Sequence, residues 1–241
     1  MRRLRLLDRS GFLRVRRVES VCSGVIGRYV TPIFKDNQAW FFYPVMSRSV
    51  IAVALIADQR PDMNPFDIIE TERLLIRPVR SDDLPEVYAR ASDPEVLRFT
   101  GEVLSYNDTQ RLLQKLIDEQ AAKAPLGGRA VVLKSNQLNI GYCGFDYLPH
   151  SPEKPIEIFY GITRRFWGAG FATEAATAML HHGFAKLDLN EIVASIHPAN
   201  LRSIRVAEKI GLIYRKKINC PKQAMVNLLA LSKGDYLRSQ K

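Results

Sequence analysis

From Ile68 onward, runs of apolar and polar positions alternate with lengths and periods that define elements. Ile68 to Val79 is rich in Ile and Leu and predicts a strand stopped by Pro78. Ser81 followed by Asp82 and Asp83 predicts a helix start, because a hydroxyl can cap and carboxylates suit the positive end of the helix dipole. Ser105 with Asp108 forms a capping-box pattern for a second helix reaching about Ala122 and ended by Pro125-Leu126-Gly127-Gly128. Arg129 to Lys134, Asn139 to Tyr147 and Ile156 to Thr163 are short β-rich runs. Ser135-Asn136-Gln137 and the Pro149 to Pro155 loop join them, which predicts consecutive antiparallel strands. A helix is predicted from Gly170 to Lys186, since Ala172, Ala175, Ala176, Met179, Leu180 and Phe184 share one face at 3.6-residue spacing. Glu191 to Ile196 predicts a strand, Leu201 to Ile210 a helix closed by Gly211, and Met225 to Leu231 a last strand. The order β-α-α-β-β-β-α-β-α-β is that of a mixed α/β domain with one central sheet.

Residues 1–62 show no sustained period and end in Gln59-Arg60-Pro61-Asp62, just before Met63-Asn64-Pro65. The expected organisation is therefore a basic, loosely ordered N-terminal extension over 1–62 and one domain over 63–241. The functional protein starting at Met63 is a further reading, which N-terminal mass spectrometry tests: peptides from residues 1–62 exclude it. The first seventeen residues hold seven arginines and one acid, a transit-like charge without serine enrichment. No uninterrupted apolar stretch follows, and Val50 to Ala57 is far below the ~18 residues that span a bilayer, so no membrane segment is expected.

Composition adds that a sizeable core can be buried, with 46% hydrophobic and 25% charged residues in 241. The net charge of +10 is uneven: residues 1–62 hold eleven Lys/Arg against five Asp/Glu, and the rest twenty-four against twenty. Such an excess suits polyanionic partners, or a solvated arm. Cys22, Cys143 and Cys220 are scattered without ligand spacing, which points to a reducing, cytoplasmic setting and no structural metal. His181 and His182 are helix neighbours diverging by about 100° and cannot share one ion from one face.

The chemistry concentrates in Arg165-Phe166-Trp167-Gly168-Ala169-Gly170-Phe171-Ala172-Thr173-Glu174, between a strand and a long helix. Glycines there let backbone N–H groups approach a ligand, and the helix start adds about half a positive charge, which makes an anion cradle for a phosphate or pyrophosphate. An ordinary tight turn is the alternative. The segment lacks the Gly-Lys-Ser/Thr ending of a nucleotide-hydrolysing loop. It also departs from a dinucleotide fingerprint, with Thr173 at the third glycine position and hairpin strands before it.

Trp167 to Ala175 resembles the acetyl-CoA signature of the GNAT superfamily, whose form Arg/Gln-x-x-Gly-x-Gly/Ala is filled by Arg165, Gly168 and Gly170. Thr71-Glu72-Arg73-Leu74-Leu75-Ile76-Arg77-Pro78 is similar to the opening strand of the branch that includes ribosomal-protein N-terminal alanine/serine acetyltransferases. Asn200 to Gly211 is similar to that branch's Asn-x-x-Ser…Glu-Lys-x-Gly-Phe motif, with Leu212 in place of Phe. The resemblance implies an acyl-CoA N-acyltransferase fold: a mostly antiparallel sheet, flanked by helices and splayed between the fourth and fifth core strands, here Ile156 to Thr163 and Glu191 to Ile196. It implies acetyl-CoA in that gap, with pantetheine along Phe159, Tyr160, Gly161 and Ile162 and pyrophosphate on the amides of Trp167, Gly168, Ala169, Gly170, Phe171 and Ala172. Asn200 would lie beside the pantetheine with Ser203, or serve as a helix cap. Arg202 and Arg205 suit the 3′-phosphate or a solvated face.

By the same resemblance Glu157 is the base candidate, an exposed strand-end glutamate being the alternative. The usual tyrosine acid is absent, since its position holds Ala207; Ser195, Tyr160 and Tyr214 are the candidates, or the thiolate leaves unprotonated. The implied acceptor is a primary amine: a protein N-terminus such as that of a ribosomal protein, or a small amine. A non-catalytic ribosome- or RNA-binding protein keeping the fold is the reading from a different class.

Overall fold

A computed structural model describes residues 33–35, 38–40, 67–148, 151, 153–220 and 224–240. The chain divides into two units, 1–54 and 55–241. In the first, the described part is a hairpin of β1 (Ile33–Lys35) and β2 (Gln38–Trp40), paired antiparallel with Phe34 opposite Ala39. Three-residue strands are too short to display a period. The remaining expectation for residues 1–62 lies outside the described residues.

The second unit is built on one sheet of eight described strands. They are β3 (Ile69–Glu70), β4 (Leu74–Pro78), β5 (Gly127–Leu133), β6 (Asn139–Tyr147), β7 (Ile156–Ile162), β8 (Glu191–Ile196), β9 (Ile213–Cys220) and β10 (Ala224–Ser232), ordered β3-β4-β5-β6-β7-β8-β10-β9. All neighbours are antiparallel except β7 and β8. The run expected as one strand from Ile68 to Val79 is two pieces. Thr71 folds the chain back, its amide donating to the Leu74 carbonyl at 3.0 Å and its hydroxyl accepting the Leu74 amide at 2.9 Å. β9 was not expected, because its first five residues do not alternate: Ile213 to Lys217 are all exposed.

The helices are α1 (Leu84–Ala91), α2 (Pro94–Leu97), α3 (Tyr106–Lys123), α4 (Phe171–His181), α5 (Leu201–Lys209) and α6 (Lys233–Ser239). Ser81 does not cap α1; it opens a 3-10 turn over Ser81–Asp83. The Asp83 carboxylate explains the delay, since it is engaged by the Arg77 guanidinium at 2.7 and 2.8 Å and by the Arg80 amide at 2.8 Å. Ser105 caps α3 through the Asp108 amide at 3.2 Å, as the sequence predicts. Two helices escaped the periodicity reading. α2 is one turn capped by Asp93, and α6 is seven residues capped by Ser232.

One face of the sheet packs Ile158, Ile162, Ile192 and Ala194 against Ala175, Ala176, Met179 and Leu180 of α4 and Ala207 of α5, all buried. On the other, Ala130 and Val132 meet Val87 of α1 and Leu113 of α3. Burying each large side chain of this kind contributes roughly 1.5–3 kcal/mol, which fastens the helices to the two faces of the sheet.

Candidate acyl-transfer site

β7 and β8 run parallel, but they pair at a single position, Glu157 with Val193. Beyond it the strands separate. The Thr163 amide donates to the Ile140 carbonyl of β6 at 2.8 Å, so the alternation of a strand turns the peptide groups of Tyr160 and Ile162 toward the β8 side, into the gap.

Glu157 stands at the apex of that gap. Its Oε1 accepts the Ser195 amide at 2.8 Å and a short hydrogen bond from the Ser195 hydroxyl. The carboxylate thus takes an amide hydrogen that would otherwise continue the ladder. Burial raises the Glu157 pKa; the Ser195 bonds pull against this, and nearby Asp146, paired opposite it on β6, pushes the same way as burial. A carboxylate with a raised pKa is a stronger base than a solvated one.

Glu157, Phe159 and Gly161 share one face of β7, opposite the buried Ile158 and Ile162. Gly161 is required by its partner across the pair. A Cβ there would lie 2.5 Å from the Tyr142 ring, which also neighbours Phe159 with centroids 6.2 Å apart. Arg90 of α1 lies over Tyr142 at 5.3 Å.

At the far end of β7 the chain makes a 3-10 turn, Arg164–Phe166, and enters α4 through Gly168 and Gly170 with φ of +81° and +82°. These left-handed angles favour glycine. A Cβ on Gly168 would meet nothing within 4 Å, and Gly168, Ala169 and Gly170 are exposed. The first amides of α4 have no partner within the helix. Open space, free donors and a positive helix end fit a pyrophosphate. Trp167 differs from its neighbours: its amide donates to the Arg164 carbonyl at 3.0 Å and its indole Nε1 to the Ile162 carbonyl at 2.6 Å. It closes the end of β7 rather than lending an amide to the cradle.

The family model of an Acetyltransferase (GNAT) domain matches residues 73–213. The chain belongs to the GNAT acetyltransferase family. It is 33% identical over 145 residues to YnaD of Bacillus subtilis strain 168, an uncharacterized N-acetyltransferase, covering 60% of this chain and 81% of that protein. A GNAT-family acetyltransferase structure from Bacillus anthracis is 28% identical, covers 70% of this chain and 99% of that one, and superposes with a TM-score of 0.61. A ribosomal L7/L12 alpha-N-protein acetyltransferase solved with coenzyme A shares the fold at 18% identity and a TM-score of 0.58, over 70% of this chain and 99% of that one. The protein is accordingly an N-acetyltransferase with acetyl-CoA as cosubstrate, which sets aside the non-catalytic reading.

Within the GNAT frame, Asn200 caps α5, its Oδ1 accepting the Ser203 amide at 3.2 Å. Tyr160 lies on the opposite face from Glu157 and donates its hydroxyl to the Ser203 carbonyl at 2.9 Å, bridging β7 to α5; burial pushes its pKa up. Ser195 is brought to Glu157, whereas Tyr214 is exposed on β9. Arg165 stacks on Phe166 at 4.8 Å and Arg202 on Trp167 at 4.5 Å. Burial raises the thiol pKa of Cys143 and pulls the His182 pKa down to about 4, so neither is charged at neutral pH. Among the described residues no three metal-ligating side chains cluster, and no helix is long and apolar enough to cross a membrane.

Sequence reasoning missed two features. Phe99, after α2, stacks on His197, after β8, with centroids 5.1 Å apart. Thr71 and Arg73 bind Glu174 in the first turn of α4. The Thr71-Glu72-Arg73 and Gly170 to Glu174 motifs are therefore halves of one contact, a signal visible only as their joint presence.

Proposed function

We propose that residues 63–241 transfer acetyl from acetyl-CoA to the amine of a protein N-terminus by direct attack in a ternary complex, with Glu157 as the base. The observation that carries this is the half-buried Glu157 carboxylate, held by Ser195 at the point where β7 and β8 part. Gly168 to Ala172 would hold the pyrophosphate, and the Tyr160 peptide groups with the Ile162 amide the pantetheine, the Ile162 carbonyl being taken by Trp167. The cosubstrate supplies an acyl carbon activated as a thioester.

Glu157 draws a proton from the acceptor ammonium, directly or through a water, which frees the nitrogen lone pair. Ser195 holds that carboxylate by two bonds and fixes where its second oxygen points. Of the three acid candidates, Tyr214 is exposed on β9 and the other two have committed protons: the Ser195 hydroxyl serves Glu157 and the Tyr160 hydroxyl serves Ser203. A thiol pKa of about 8.5 lets the sulfur leave without a dedicated acid. Holding the reactants together supplies about 7–11 kcal/mol, and proton transfer a further ~10²–10⁴-fold.

A ribosomal acceptor is favoured by exposed Arg202, Arg205, Lys209, Arg215, Lys216 and Lys217, a basic flank suited to a polyanionic surface in the cytoplasm. The test is release of CoA thiol from acetyl-CoA with peptides bearing ribosomal-protein N-termini, the same peptides blocked at the N-terminus, and polyamine, aminoglycoside and amino-acid controls. Turnover with free peptides alone supports the reading; faster turnover of a small amine overturns it.

A further inference from the structure

The first turn of α4 is tied to the turn between β3 and β4 by a compact set of bonds. Glu174 Oε1 accepts the Thr71 hydroxyl at 2.5 Å and the Arg73 amide at 2.9 Å, while Oε2 accepts Arg73 Nε at 2.7 Å and lies 2.6 Å from its NH2. The same guanidinium donates NH1 to the Ala169 carbonyl at 3.1 Å and lies 4.4 Å over the Phe171 ring. One side chain therefore grips the glycine loop on its carbonyl side and the helix start on its carboxylate side. The Glu174 pKa reflects this: burial acts to raise it, and Thr71 and Arg73 together outweigh burial and lower it.

The placement is unusual for a carboxylate so near a phosphate cradle. Glu174 opposes an incoming anion by charge, yet its bonds all go to Thr71 and Arg73. Pulling the Ala169 carbonyl toward Arg73 turns that peptide unit, and with it the amide of Gly170, in a fixed direction. Ala169 sits between two glycines with left-handed angles, where the chain has many alternatives to lose on ordering.

We propose that Arg73 and Glu174 are positioning residues that hold the Gly168 to Ala172 loop in its anion-binding form before acetyl-CoA arrives. This rests on the loop being the pyrophosphate cradle. The clamp also gives one physical reason for the Thr71 to Arg73 strand turn and the Gly170 to Glu174 helix start to occur in one chain. Preorganisation of this kind lowers the cost of binding without adding a contact to the ligand.

The test is calorimetric titration of acetyl-CoA into the full chain and its Arg73→Met, Glu174→Gln and double variants, with steady-state KM and kcat alongside. In Glu174→Gln the new amide NH2 confronts Arg73 donors, while the site loses a negative charge. Field effects alone would tighten binding, whereas the clamp predicts weakening. Each single variant is expected to raise the Kd about tenfold, equal to ~1.4 kcal/mol. The double variant should be no worse than about twofold beyond either, because both disrupt one unit. KM for acetyl-CoA should rise more than kcat falls, and Arg73→Lys, which keeps a donor, should recover part of the affinity. Tighter or unchanged binding by Glu174→Gln overturns the clamp. No binding by the unmodified chain overturns the cradle reading itself.

Discussion

Replacing Asp83 by Asn tests how α1 is fastened to the sheet. Arg77 of β4 and Asp83 form a two-pronged ion pair with side chains 11% and 3% exposed, and Asp83 also takes the Arg80 amide. Burial acts to raise the Asp83 pKa; the bonds from Arg77 and Arg80 outweigh it, so the folded value lies below the ordinary one. In the Asn variant the Arg77 charge stays buried with its partner gone, a loss of about 3–5 kcal/mol. At roughly 2–4 °C per kcal/mol for a chain of this size, the Tm at pH 7 should fall by about 6–20 °C. The pH dependence has a definite sign. A carboxyl with a depressed folded pKa contributes stability above its unfolded value, here 3.8, and loses it as pH falls through the folded one. The gap between the two proteins should be full at neutral pH and shrink in acid, followed by circular dichroism melting from pH 7 to pH 3. A Tm within about 2 °C of the unmodified protein at pH 7 would refute the reasoning.

Gly161→Ala places a methyl inside the contact distance of the Tyr142 ring; overpacking of this kind costs about 1–3 kcal/mol and should appear in denaturant unfolding as a lower midpoint. Because burial raises the Glu157 pKa, the base gains its proton-accepting form at a higher pH than an ordinary glutamate. The rate should therefore climb with pH across a limb lying above pH 4.5, read from kcat against pH at saturating acetyl-CoA.

Much of the domain was legible because its elements are long and periodic. β6 and β8 begin and end at the bounds read for them in the sequence, Asn139 to Tyr147 and Glu191 to Ile196. Gly168 and Gly170 announced their left-handed turn through residue type alone. What escaped lacks local signal: α2 is too short to show a period, and β9 is exposed from Ile213 to Lys217. The candidate site could be named from the sequence residue by residue, but not in its partnerships. Glu157 could be named through the resemblance, but its bonds to Ser195, 38 residues away, arise only when two strands splay. Arg73 and Glu174 lie 101 residues apart and meet only because β4 and α4 are neighbours in the fold.

The central claim is that Glu157 moves a proton rather than holding the cosubstrate, and Glu157→Gln separates the two. Gln keeps an oxygen able to accept from the Ser195 amide and hydroxyl, so the apex of the gap survives while the basicity is lost. Turnover and acetyl-CoA Kd measured on the same preparation should show a ~10²–10⁴-fold drop in kcat, an unchanged Kd and disappearance of the acid limb. A large loss of acetyl-CoA affinity, or an acid limb that persists in the variant, would show instead that Glu157 only shapes the gap.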